Sequence, residues 1–131
     1  MMLKTYQQLD VWKKAIDLVE SVYVLAKRLP ASERFGLTSQ IQRAATSIPA
    51  NIAEGYGRTH RGDYLRHLSI ARGSLMELET HLIIAVRLRM IPKAQAQEIW
   101  PQVQAVGQML TKLIASLQPG SRNPKPETRN P

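Results

Sequence analysis

Apolar residues recur at alternating steps of three and four positions in four separate segments, and this periodicity restricts the fold more than any other feature. The longest repeat consists of Tyr64, Leu68, Ala71, Leu75, Leu78, Leu82 and Ala85. Such spacing lines one side of an α-helix, whereas a half-buried strand would alternate with a period of two. No strand pattern competes with it. The sequence therefore predicts an all-α fold, an antiparallel up-down-up-down bundle of four helices joined by short connectors.

The first repeat defines the first helix. It consists of Leu9, Trp12, Ile16, Val19, Tyr23 and Ala26. Thr5 and Gln8 have the spacing of a capping box, which favours a start at Thr5, and Asp10 is an alternative start about one turn later. Pro30 ends this helix, because a proline disfavours the helical conformation of the residue before it.

The second helix combines a cap, a proline and two glycines. Ser32 is a candidate N-cap. The apolar stripe of this helix consists of Leu37, Ile41, Ala44, Ile48 and Ile52. Pro49 falls inside this stripe, which continues in phase across it, so we expect a kink at Pro49 and not a break. Gly55 and Gly57 supply the stop, and we expect one of them to adopt positive φ at the C-terminal cap. Gly73, inside the third helix, costs roughly 1 kcal/mol relative to alanine, and we attribute it to close approach of the second helix.

A single domain is expected over residues 1–118. The repeat of the fourth helix consists of Ile99, Val103, Val106, Leu110, Leu113 and Leu117. Pro92 suits the first position of that helix, and Pro101 interrupts it near its start. Residues 119–131 are rich in proline and charge and show no periodicity. We therefore predict that residues 119–131 form a disordered C-terminal tail.

A second stripe on the predicted second helix is polar throughout and lies beside small residues. Its members are Gln40, Arg43, Ser47, Asn51, Glu54 and Arg58. Buried charges persist only when they are paired, and Arg72 and Glu79 on the third helix balance Arg43 and Glu54. We interpret the following residues as a structural polar network or a seam between subunits: Gln40, Arg43, Ser47, Asn51, Glu54, Arg72 and Glu79. The alternative is a ligand or partner site at the same residues.

The chain is basic, with 18 Lys and Arg against 10 Asp and Glu and a net charge of +8. This balance makes nucleic acid a candidate partner. However, Lys27, Arg28, Arg87 and Arg89 stand where two helices should end, and cations there complement the helix dipole. The chain contains no cysteine, no apolar leader and no long apolar run. These features predict a cytoplasmic protein without a membrane partner.

Signatures of enzymes are missing from the sequence. The run Gly55–Gly57 follows a helix and not a strand, so it is not a phosphate-binding loop. His67 and His81 lie about 21 Å apart along one helix at 1.5 Å per residue, too far to share a metal. Glu77 and His81 are four residues apart, whereas di-iron bundles use Glu-x-x-His twice. We expect no catalytic residue, no metal, no cofactor and no small-molecule substrate, and therefore no enzyme.

Arg58, Arg61 and Arg66 cluster at the connector between the second and third helices, close to Tyr56. These four residues are a possible nucleic-acid contact. Arginine contacts to phosphate would be largely independent of sequence, and Tyr56 is the candidate for stacking against a base. A solvated basic turn without a ligand is the alternative.

Three segments carry a resemblance to a known family. They are LDVWKKA at 9–15, FGLTSQIQRAATSIPANIAEGYGR at 35–58 and DYLRHLSIARGSLMELETHL at 63–82. Over about residues 6–118 the chain resembles the four-helix bundle proteins, also called 23S rRNA intervening-sequence proteins. The resemblance implies a four-helix bundle, a ring-shaped homopentamer and no established biochemical activity. His67 occupies a place where this family usually has phenylalanine.

Two hypotheses about function follow. The first is a non-enzymatic oligomeric scaffold or interaction module whose main partner is itself. The alternative comes from a related group, the accessory proteins of diversity-generating retroelements. That likeness implies a basic nucleic-acid-binding accessory protein that partners RNA, DNA or a reverse transcriptase.

Overall fold

The computed structural model describes residues 5–119, and these residues form four α-helices and no β-strand. The helices are α1 (Asp10–Ala26), α2 (Leu37–Tyr56), α3 (Arg61–Arg87) and α4 (Lys93–Leu117). Short 3-10 helices precede α1 at Tyr6–Gln8 and α2 at Ala31–Glu33. The predicted all-α class and the number of helices are confirmed. Apart from Pro119, the predicted disordered tail lies outside the described residues.

Each helix packs against the next one along the chain, and α1 also packs against α4. The α2–α3 pair is antiparallel, because Ser47 contacts Ser74 whereas Asn51, later in α2, contacts His67, earlier in α3. The connectors are short, with four residues between α2 and α3 and five between α3 and α4. These neighbour relations are the ones that an up-and-down bundle requires.

The core is aliphatic and lies where the repeats of α2, α3 and α4 predict it. In α3 the buried side chains include Leu68, Leu75, Leu78 and Leu82. The prediction for α1 was out of phase. The buried residues of α1 are Val11, Ala15, Leu18, Val22, Leu25 and Ala26, whereas Tyr23 is 40% exposed. Two adjacent apolar stripes run along α1, and the stripe that contains the small Ala15 is the one that faces the core.

The start of α1 follows the alternative prediction. The hydroxyl of Thr5 accepts a hydrogen bond from the Gln7 N–H at 3.2 Å, so Thr5 caps the preceding 3-10 helix. The α-helix itself begins at Asp10. At the other end α1 stops at Ala26, and 3-10-type hydrogen bonds carry the chain on to Leu29.

The start of α2 differs from the predicted Ser32 cap. The α-helix begins only at Leu37, and a carboxylate oxygen of Glu33 accepts a hydrogen bond from the Leu37 N–H at 3.0 Å. Gly36 occupies the N-cap position but has no side chain that could accept a hydrogen bond. Glu33 therefore caps α2 because its longer side chain reaches a helix start that lies four residues further on.

The helices α2 and α4 continue through their internal prolines. Pro49 lies within α2 and Pro101 within α4, and neither residue ends the helix. The prediction of positive φ at the end of α2 was wrong. Gly57 caps the helix with a φ of −78°, and Gly55 lies inside it. The last turn of α2 only tightens, because the Arg58 N–H donates to the Gly55 carbonyl at 3.0 Å.

Candidate functional site

The helices α2 and α3 approach each other closely at Gly55. A Cβ atom at Gly55 would lie 2.7 Å from the Cβ of His67 and 3.0 Å from a ring carbon of Tyr64. Only glycine fits at such a distance, because real Cβ contacts are longer and α3 would have to move. The predicted role of Gly73 was wrong. A Cβ there would meet no atom within 4 Å, and Gly73 lies on the exposed side of α3.

A chain of hydrogen bonds runs along this contact, and we call its members Ser47, Asn51, His67 and Ser74 the polar seam. The hydroxyls of Ser47 and Ser74 lie 2.8 Å apart. The Asn51 amide nitrogen donates to the carbonyl oxygen of Ser47 at 2.9 Å and to its hydroxyl oxygen at 3.0 Å. The Asn51 amide oxygen lies 3.1 Å from Nδ1 of His67. The seam therefore joins two residues of α2 to two buried residues of α3.

The polar seam determines the tautomer of His67. Since the amide nitrogen of Asn51 donates to Ser47, its oxygen is left to accept, and Nδ1 of His67 must carry the proton. In the neutral imidazole Nε2 is then an acceptor, and it lies 3.4 Å from a guanidinium nitrogen of Arg66. The same Nε2 is 3.9 Å from a carboxylate oxygen of Glu54. His67 thus connects the buried seam to charged groups at the surface.

Two groups beside the seam have shifted pKa values. The hydrogen bond from Arg58, at 2.7 Å, lowers the pKa of the Glu54 carboxyl below its ordinary value, and the charge of His67 adds to this effect when that ring is protonated. Burial raises the pKa of Tyr64, with a smaller contribution from Tyr56. The two tyrosine rings meet edge to face, with centroids 6.0 Å apart.

Gln40 and Arg43 lie on α2 on the N-terminal side of the seam. With Ser47 and Ser74, and with Glu77 and His81 of α3, they line a polar cleft between the two helices. Gln40 and Arg43 are exposed. The side chain of Arg43 makes no ion pair with any residue in the range 5–119.

Arg72 and Glu79 lie on a different side of α3. Both line a groove between α3 and α4, together with Met76 and Gly107. The structure therefore does not bring Arg72 and Glu79 together with Arg43 and Glu54. The partner that it gives Glu54 is Arg58, four residues later on the same helix.

Sequence reasoning missed two members of the seam, His67 and Ser74. The sequence could have indicated Ser74, because this residue precedes Leu75 of the core stripe of α3. A buried polar side chain at that place needs a hydrogen-bond partner. His67 likewise precedes the buried Leu68. Which residues of α2 they meet depends on the register of the two helices, and the spacing along one helix does not report that register.

The four candidate nucleic-acid contacts lie together at the end of α2 and the first turns of α3. Arg58, Arg61 and Arg66 are exposed. Tyr56 is half-buried and packs against Tyr64. Arg58 is paired with Glu54, so part of the positive charge at this end is already neutralised.

The side chains at these sites offer hydrogen-bonding groups and charge. No group of three or more His, Asp or Glu residues within residues 5–119 is placed to hold a metal ion. None of the helices in the described part of the chain is both long and apolar enough to cross a membrane.

Comparison with known proteins gives a match over most of the chain. The family model described as 23S rRNA-intervening sequence protein matches residues 7–112. A crystal structure of a protein of unknown function, assigned to the S23 ribosomal protein family and from Bacteroides thetaiotaomicron, is similar with a TM-score of 0.73 at 28% sequence identity. That similarity covers 79% of this chain and 97% of the other. None of the curated proteins matches the sequence.

Proposed function

This chain belongs to the 23S rRNA-intervening sequence protein family, and we propose that it is a non-enzymatic cytoplasmic scaffold that assembles from copies of itself. In this proposal the up-down-up-down bundle is the building block. Its biological work is to present surfaces, and it catalyses no reaction.

The observation that carries the proposal is a stripe on the exposed side of α3 that contains three large apolar side chains. We call it the outer stripe of α3, and its members are Ile70, Gly73, Glu77, Thr80, Ile84 and Leu88. They follow one another at steps of three and four, so they share one side of the helix. Ile70 is 40% exposed, Ile84 38% and Leu88, at the C-cap, 60%. Large apolar side chains that share the exposed side of a helix are candidates for burial against a partner, and another copy of the chain would supply that burial.

The polar seam supports a structural role for the residues that first suggested a binding groove. Asn51 donates to Ser47 and accepts from His67, and the Ser47 hydroxyl contacts that of Ser74. Side chains whose hydrogen-bonding groups bond to one another fix the register of two helices. The seam therefore gives the scaffold one arrangement of α2 against α3.

We propose five subunits in a ring, a number that comes from the family resemblance. Light scattering coupled to size exclusion tests it directly. Five copies of a chain of 14.8 kDa give a mass of about 74 kDa. A mass equal to one chain at all accessible concentrations would overturn the scaffold proposal. A different multiple would correct only the number of subunits.

Substitutions on the surface test which face assembles. We expect the double variant Ile70→Glu, Ile84→Glu to lower the mass, because charges would be buried without partners between subunits. Val24→Glu is the matched control, since Val24 is 66% exposed on α1, and it should leave the mass unchanged. Both side chains of the double variant are exposed within the chain, so circular dichroism should report an intact bundle.

A second candidate function, binding of nucleic acid by a basic accessory protein, is supported by the net charge of +8. The exposed arginines Arg58, Arg61 and Arg66 beside Tyr56 are the surface that the sequence predicts for it. Affinity for RNA or DNA should then fall steeply as the salt concentration rises, because phosphate contacts release counterions. Absence of binding at low salt would remove this candidate and leave the scaffold proposal untouched.

A further inference from the structure

A second basic surface lies at the opposite end of the bundle, where the connectors α1–α2 and α3–α4 meet. Arg28 lines a groove with Glu98 of α4, which places the end of α1 beside the start of α4. Arg87 and Lys93 line another groove, on the α3–α4 side. The end is closed by connector residues that are part of the core, since Leu29 is 8% exposed and Ile91 only 3%.

This basic end carries six exposed cations. They are Lys27, Arg28, Arg34, Arg87, Arg89 and Lys93. None of them forms an ion pair with another of the residues 5–119. The two nearby carboxylates are Glu33 and Glu98, and that of Glu33 accepts the Leu37 N–H at the start of α2. At the other end Arg58 is paired with Glu54. The basic end is therefore the less neutralised of the two.

Arg89 occupies a backbone position that normally selects glycine. Its φ is 60°, and among the described residues it is the only one other than glycine with positive φ. The Arg89 N–H donates to the Val86 carbonyl at 2.9 Å and the Met90 N–H to the Ala85 carbonyl at 2.8 Å, the two hydrogen bonds of a Schellman cap. Glycine is usual there because a Cβ is strained. Arg89 therefore bears backbone strain that glycine would avoid.

An exposed aromatic ring lies beside one of these cations. Phe35, the one phenylalanine of the chain, is 89% exposed in the α1–α2 connector. The guanidinium carbon of Arg34 lies 5.3 Å from the centroid of its ring. Exposed rings flanked by cations are the stacking platforms of proteins that bind single-stranded nucleic acid.

We propose that the basic end binds single-stranded nucleic acid, with phosphates on the six cations and a base stacked on Phe35. The proposal rests on the nucleic-acid candidate described above, but it moves the contact away from Tyr56, Arg58, Arg61 and Arg66. Contacts to phosphate and to the face of a base make the binding largely independent of sequence. An anionic membrane surface is the competing partner for cations beside exposed apolar groups, and it forms one arm of the test.

The test measures binding of a labelled oligouridylate of about 20 nucleotides to the full chain over a series of salt concentrations. For Arg89→Gly we expect weaker binding and a slope of log affinity against log salt that is shallower by about 0.7, the value for one lost phosphate contact. The same substitution should raise the melting temperature, because glycine relieves the backbone strain. Arg89→Lys should keep the slope.

Phe35→Ala tests the stacking contact. We expect a loss of affinity of roughly ten-fold without a change in the salt slope, whereas Phe35→Trp should bind like the parent. Arg61→Ala tests the alternative location at the other end, since Arg61 is exposed there and has no ion-pair partner among the described residues. Contact at the basic end alone would leave both affinity and slope unchanged in this variant.

The outcomes separate this proposal from the proposed function. If Arg61→Ala weakens binding as much as Arg89→Gly does, nucleic-acid binding stands but its location at the basic end is overturned. If the parent chain does not bind the oligonucleotide at low salt, this proposal and the nucleic-acid candidate both fail, and the scaffold proposal stands. Binding to vesicles rich in phosphatidylserine that is lost in Phe35→Ala, without binding to the oligonucleotide, would overturn the proposal in favour of a membrane surface.

Discussion

The α2–α3 contact and the outer stripe of α3 each contain one glycine. The two glycines differ in the space that is available for a Cβ atom. Gly55 lies where a Cβ would be 2.7 Å from the Cβ of His67. Gly73 lies where a Cβ would meet nothing within 4 Å. The inner glycine is required by a contact within the chain. No contact within the chain explains the outer glycine. It lies beside Ile70 and Ile84, on the side of α3 that we propose as the interface with a second copy.

Gly55→Ala should have the largest effect of any substitution in this comparison. The new methyl group cannot avoid the Cβ of His67, so α2 and α3 must separate, and we expect a loss of about 3 kcal/mol in the free energy of unfolding. Denaturant titration measures it. Gly57→Ala is the matched control, since the nearest atom to a Cβ there is 3.7 Å away. A loss at Gly55 no larger than at Gly57 would contradict the close contact.

Asn51→Leu should have the next largest effect, because it removes the central member of the polar seam. The protonated Nδ1 of His67 would lose its acceptor in a buried site, which costs about 2 kcal/mol. Adding His67→Phe should recover much of that loss, since two apolar side chains leave no polar group unsatisfied. A double-mutant cycle gives the coupling energy. Strictly additive effects would show that Asn51 and His67 do not interact.

Helical periodicity was sufficient to predict the class of the fold, the number of helices and the buried stripes of α2, α3 and α4. It failed in α1, where two apolar stripes are adjacent and only the packing of Ala15 against the core chooses between them. Local spacing reports which residues share a side of one helix. It does not report which side another helix covers when both are apolar.

The candidate site was less predictable than the fold for a similar reason. Ser47, Asn51 and Glu54 were identified from one helix, but their partners depend on the register between helices. Charge balance suggested Arg72 and Glu79, which the structure places on the α4 side of α3. The partners that the structure gives to Ser47 and Asn51 are Ser74 and His67, and those depend on how closely α2 approaches α3 at Gly55.

Gly73→Ala should have a smaller effect, whose sign depends on assembly. In the Ile70→Glu, Ile84→Glu background we expect a gain of about 1 kcal/mol, because alanine replaces glycine inside an exposed helix. In the assembling parent the gain should shrink or reverse, since the methyl group would point toward the other copy. Thermal unfolding at one protein concentration measures the effect of Gly73→Ala in the parent and in the Ile70→Glu, Ile84→Glu background. Equal gains in the two backgrounds would remove Gly73 from the proposed interface.

Glu54→Gln should have the smallest effect, and the effect should depend on pH. The pKa of the Glu54 carboxyl is lowered in the folded chain, first by the hydrogen bond from Arg58, relative to an ordinary value of 4.5. The ionised carboxylate therefore stabilises the fold above pH 4.5, and this contribution is lost as the pH falls through the lowered folded value. The Glu54 side chain is 55% exposed, and ion pairs of this kind contribute little to stability.

Melting curves of the parent and the variant should differ slightly near neutral pH and converge in acid. Arg58→Gln removes the other partner of the same ion pair and should reproduce this pattern. If the difference between the melting temperatures stays constant into acid, ionisation of Glu54 does not stabilise the fold.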